Sequence, residues 1–133
     1  MKFEAKTPPR LFTVGAGPSA AVHADCGTIT LEPGEQVTFS APGGKEYDVA
    51  RTEWGFYATP SINARLNGFA LRTALVRNRQ GRLYVLLVER DRMDAFVRFC
   101  RDDPHDVLAW LDDDGTVARI DAALAAPPPA ADP

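Results

Sequence analysis

The sequence predicts a β-rich α+β fold, a single domain on antiparallel sheet (sandwich, roll or barrel-like) with one packed amphipathic helix near 92–101. Three observations predict it. Strand-like runs recur at spacings of about 8–12 residues, separated by Pro- and Gly-rich breaks. The dipeptide Asn67-Gly68 sits between Leu66 and Phe69, where a two-residue type I′ hairpin turn would place it. Met93, Phe96, Val97 and Cys100 follow one another at helical spacing, behind Asp91 as N-cap.

Residues 1–10 read as a leader, because Pro8 and Pro9 discourage ladder pairing. A first strand is expected near Leu11–Val14, then a loop from Gly15 to Pro18. Thr28–Leu31 and Gln36–Ser40 are β-like runs joined by Glu32-Pro33-Gly34-Glu35. Proline fixes φ there and glycine accepts a positive φ, as a type II turn requires. Pro42-Gly43-Gly44 makes the next break, and Glu46–Arg51 another strand.

The Asn67-Gly68 turn would set a register with Leu66 opposite Phe69 and Arg65 opposite Ala70. Ile62, Ala64, Leu66, Phe69 and Leu71 then share an apolar face, while Asn63, Arg65 and Arg72 share the other. A second turn at Asn78–Gly81 puts Arg77 opposite Arg82, or one residue further on if Gly81 forms a bulge. Leu83–Val88 (LYVLLV) is apolar on both parities, which predicts a central strand covered on both faces. The helix stops before Pro104, Val107–Leu111 is a short strand, and Val117, Ile120 and Leu124 suit a final helix. The globular domain is thus 11–124, with 125–133 a disordered Pro/Ala-rich tail.

A chain of 133 residues, 45% hydrophobic and 25% charged, matches an ordinary globule. No apolar run reaches membrane-spanning length and the N-terminus lacks a signal-peptide core, so the expected compartment is cytoplasmic. Cys26 and Cys100 should then be reduced thiols. A net charge of −3 argues against nucleic acid, despite the basic turn Arg77, Arg79, Arg82. His23 and His105 form no metal-ligand spacing, and Asp112-Asp113-Asp114-Gly115 lacks the alternation of a calcium loop. No metal and no cofactor is expected.

One constellation stands out. Asn63, Arg65 and Arg72 would project together, and guanidinium forks suit a carboxylate, phosphate or sugar hydroxyls. Trp54 or Tyr57 would supply a stacking wall. The competing reading pairs Arg65 internally with Glu89 and puts Trp54 and Phe56 in the core. Three functions follow. The leading one is a binding or accessory protein for a small anionic or sugar-like ligand, or for a protein partner at that surface. The second is a metal-independent isomerase or lyase, with Glu89, Asp48 or Glu53 as acid/base and an arginine holding the substrate anion. The third is a structural subunit that dimerises through the two-faced apolar strand and a sheet edge.

Overall fold

The computed structural model describes residues 1–130. Its elements run β1 (Lys2–Val14), β2 (Ala21–Thr30), β3 (Gln36–Ser40), β4 (Glu46–Thr52), β5 (Gly55–Ala58), α1 (Arg65–Gly68), β6 (Leu71–Asn78), β7 (Leu83–Glu89), α2 (Met93–Asp102), β8 (His105–Trp110) and α3 (Asp114–Ala125). Every strand pairing is antiparallel. The strands make a β1-β2 hairpin, a β3-β4-β5 sheet and a β7-β6-β8 sheet. This is the β-rich α+β domain that the turn spacing predicts.

Several local signals hold. Glu35 N–H bonds back to Glu32 C=O at 3.1 Å while Gly34 takes φ +91°, so the Pro-Gly turn forms between β2 and β3. Gly81, at φ +79°, shifts the β6-β7 register by one residue, placing Arg77 opposite Leu83 and Leu71 opposite Glu89. Met93, Phe96, Val97 and Cys100 of α2 face Arg72, Val107 and Trp110 across one face of the β7-β6-β8 sheet. Phe96 meets Trp110 edge-on, with ring centroids 5.8 Å apart. On the opposite face, α3 lays Thr116, Ile120 and Ala123 beside Leu75, Leu108 and Ala109.

Other expectations are corrected. The residues expected as a leader lie in β1, whose prolines fall where the ladder breaks. Pairing stops after Ala5↔Gly27 and resumes at Arg10↔Asp25, so residues 6–9 bulge opposite Cys26 alone. The strand therefore runs past its prolines without asking them to donate. Asp91 lies in a 3-10 turn, Arg90–Arg92, and provides no side-chain cap to α2. Asp113 caps α3 instead, accepting from Thr116 N–H at 2.9 Å. Of the expected tail, Ala125 closes α3, residues 126–130 are exposed, and 131–133 lie outside the described residues.

The Asn67-Gly68 hairpin does not form. Type I′ geometry needs positive φ at both central residues, and neither Asn67 nor Gly68 has it. Ser61 instead accepts the Arg65 N–H on its hydroxyl at 2.8 Å and the Leu66 N–H on its carbonyl at 3.0 Å, starting one helical turn. The left-handed residue is Ala70, at φ +57°, which lets the chain leave α1 for β6. This turn buries Leu66 to 1% exposure. With Leu71, Ala74, Val76 and Val88 it forms the core, centred on β6.

β6, not β7, is the central strand. β7 pairs only with β6 and is a sheet edge, with Leu83, Tyr84 and Val85 exposed. Its second half is partly covered, with Val88 buried, whereas its own chain leaves the first half, Leu83–Val85, exposed.

Candidate functional site

The polar constellation expected at Asn63, Arg65 and Arg72 is dispersed. Without the hairpin, no register brings these three onto one face. Asn63 lies exposed in the turn before α1. Arg65 turns back to β4, where its guanidinium bonds the buried Asp48 carboxylate and lies 3.3 Å from Thr59 Oγ1. Asp48 also accepts from Thr38 Oγ1 at 2.5 Å and Thr59 Oγ1 at 3.4 Å. The Thr38 hydroxyl, followed by Arg65, holds the Asp48 carboxyl below its ordinary value. This network ties β3, β4 and the approach to α1 together, so it accounts for Asp48 as a structural anchor.

Arg72 points elsewhere. Its Nε donates to Asp112 Oδ2 at 3.1 Å, and its guanidinium lies 4.1 Å from the Trp110 ring centroid. Asp112 also accepts the Thr73 N–H at 3.4 Å, which fixes the turn after β8 to β6. Glu89 pairs in register with Leu71 and so lies on the face opposite to Arg72. The internal pairing considered for Arg65 named Glu89, and the guanidinium bonds another carboxylate. Asp48 and Asp112, not Glu89, are the partners. Neither Arg65 nor Arg72 bonds Glu89, which lines a groove with Arg92 and His23, and Glu53 stands exposed in the β4-β5 turn.

The core alternative for Trp54 and Phe56 is corrected. Trp54 is 75% exposed, Phe56 67% and Tyr57 52%, so none is core. Trp54, in the β4-β5 turn, and Tyr57, in edge strand β5, sit 6.4 Å apart at a tilt. Arg51 stacks over Phe56 at 5.3 Å. Of the thiols, Cys26 is exposed, while burial pushes the Cys100 thiol up, with the Asp103 charge adding to it. Among the described residues no group of three His, Cys, Asp or Glu side chains could hold a metal ion.

What remains is an apolar surface that the sequence reading undervalued. The β1-β2 hairpin is exposed over nearly its whole length. Its loop end docks on α2, where Ser19 Oγ bonds the Asp102 carboxylate and Gly15 lies against Phe99. Alternation puts Phe3, Phe12, Val14, Ala21, His23 and Ile29 on one face of the hairpin. Part of that face looks onto a groove of about 540 Å³, walled by Val14, Ala21 and His23 on one side and Val85–Glu89 on the other. Phe96 and Phe99 of α2 form its floor. The signal that could have found it was LYVLLV beside a hairpin with apolar side chains on both parities.

No helix of the described residues is long and apolar enough to cross a membrane. Comparisons with protein-family models, curated proteins and solved structures find no match for this chain.

Proposed function

We propose that this chain is a non-catalytic accessory or structural subunit that works by binding protein through its uncovered β surfaces. One observation carries the reading. The accessible surface is 9462 Å², whereas a folded monomer of this mass exposes on the order of 6,900 Å². The surplus is on the order of 2,500 Å². Residues from 126 onward supply at most about 1,000 Å² of it, at the roughly 1.45 Å² per dalton of an extended chain. Large apolar side chains on the hairpin, β5 and β7 are prominent among those left exposed.

A small anionic ligand has lost the clamp proposed for it, since Arg65 and Arg72 are held by Asp48 and Asp112. A protein partner needs no such clamp, nor any cofactor. The setting we propose is the cytoplasm, which suits the free thiols of Cys26 and Cys100. The test is native size, measured by sedimentation for the purified chain and by gel filtration of fresh extract of its own cells. A particle heavier than 14.5 kDa is expected in at least one. A 14.5-kDa particle in both overturns the reading.

A further inference from the structure

Resting on that reading, we propose that the partner along β7 is a second copy of this chain, whose own β7 pairs antiparallel with it across a two-fold axis. The argument starts from the backbone. Arg90 N–H bonds Ala70 C=O and Asn78 N–H bonds Arg82 C=O, each at 3.0 Å, and the register between them is unbroken. Antiparallel pairs alternate between bonded and unbonded positions, so Tyr84, Leu86 and Val88 spend their amides on β6. The N–H and C=O of Leu83, Val85, Leu87 and Glu89 therefore point away from β6, and no other strand of the described residues pairs there. Four donors and four acceptors lie in one row.

A second β7 in reverse direction brings the same row. With Val85 opposite the partner's Leu87 and Leu83 opposite the partner's Glu89, every outward donor meets an acceptor. A two-fold axis through Leu86 generates both halves at once. The two three-stranded sheets become one of six strands, with the hairpin that walls the groove beside the junction.

Three further facts favour this occupant. Edge strands that must stay single carry charge, proline or a bulge, whereas β7 has no proline or bulge and its one charge is Glu89 at its end. Val85 and Leu83 are each 59% exposed in the middle and at the start of a strand, where a neighbouring strand would cover them. The surplus surface matches the 1,000–2,500 Å² or so that each chain contributes to an obligate dimer interface.

The test combines sedimentation equilibrium with amide hydrogen exchange on the purified chain and two variants. Val85→Pro deletes one outward N–H without touching a bond to β6, and Val85→Lys keeps the N–H but puts a charge on the edge. The wild type is expected at twice 14.5 kDa. Its Val85 and Leu87 amides should exchange at least about tenfold more slowly at high than at low protein concentration. Both variants should sediment at 14.5 kDa with unchanged circular dichroism. If Val85→Pro fails to fold, Val85→Lys and the wild-type exchange pattern decide. A dimer that persists in Val85→Lys with fast-exchanging Val85 and Leu87 amides overturns the β7 pairing and leaves the subunit reading standing. So does a purified monomer that is heavier in cell extract. A monomer in both settings overturns the two together.

Discussion

Arg72→Ala separates the ligand-clamp expectation from the structure. As a clamp, Arg72 would be dispensable for folding, and its loss would cost only binding. In the structure its side chain is 27% exposed and Asp112 only 5%, so removing the guanidinium strands a carboxylate largely out of water. A hydrogen bond to a charged group contributes about 1.5–3 kcal/mol. The stacking on Trp110 adds about 0.5–1 kcal/mol. Partial solvent access at Arg72 discounts both, leaving an expected loss of about 2–3 kcal/mol. With an unfolding entropy near 2.1 cal/mol/K per residue, that is a fall in Tm of about 9 °C. The assay is urea and thermal unfolding at fixed protein concentration, so that association does not enter the comparison. A double-mutant cycle with Asp112→Asn should return a coupling of at least about 1 kcal/mol. Arg72→Lys should recover less than half, because lysine lacks the planar fork and the stacking face. A loss below about 0.5 kcal/mol, with saturable carboxylate or phosphate binding abolished, would refute the structural role and restore the clamp.

Leu66→Ala should cost about 2–5 kcal/mol in urea unfolding, since Leu66 is 1% exposed. A surface hairpin turn would lose almost nothing there. Acid should destabilise the fold, because Asp48, Asp25 and Asp102 all sit below their ordinary values, held respectively by the Thr38 hydroxyl, the Lys6 ammonium and the Ser19 hydroxyl. For a carboxylate with a depressed folded pKa, the added stability is complete above the unfolded value and lost as pH falls below it. Urea midpoints should thus be flat down to about pH 5 and drop below about pH 4. Asp48→Asn should lower the neutral-pH midpoint and flatten that drop. Asp113→Ala should cost about 1 kcal/mol by uncapping α3, read as thermal stability by circular dichroism.

The parts of this fold that were legible in the sequence are those with one local solution. Pro33-Gly34 admits few turn geometries, and the spacing of Met93, Phe96, Val97 and Cys100 suits only a helix. Asn67-Gly68 misled because its preference for a type I′ turn competes with Ser61, whose hydroxyl and carbonyl offer the next N–H groups a helical start. Once that turn was misassigned, the shared face of Asn63, Arg65 and Arg72 went with it. The arginines' true partners, Asp48 and Asp112, are 17 and 40 residues away in sequence, and no local pattern links them. LYVLLV misled for a different reason. Apolar residues on both faces of a strand report that both faces are to be buried, not which chain does the burying. The same holds for Trp54 and Phe56, whose shared strand parity offers a core reading and which lie at the surface.

That distinction bears on how the β1-β2 hairpin can exist. An isolated two-stranded ribbon is marginal in water, because each ordered residue costs about 1–2 kcal/mol of backbone entropy and little surface is buried in return. Here Phe3 over Gly27, the edge-on Phe12–His23 pair and the ion pairs of Asp25 with Lys6 and Arg10 give the ribbon some internal support. Exposed pairs of this kind contribute at most about 1 kcal/mol each. Docking reaches the loop end, through Ser19 and Asp102, and the open end, where the Met1 ammonium meets Glu35 at 2.7 Å. Between these two ends the ribbon has little cover from the rest of the chain. The groove between its inner face and the bare edge of β7 is where a partner strand would satisfy both at once. The hairpin's apolar side chains and β7's unpaired amides are two halves of one deficit. On the proposed pairing, a single added strand would supply the missing neighbour to each, so hairpin amide protection should rise with protein concentration together with that of Val85 and Leu87.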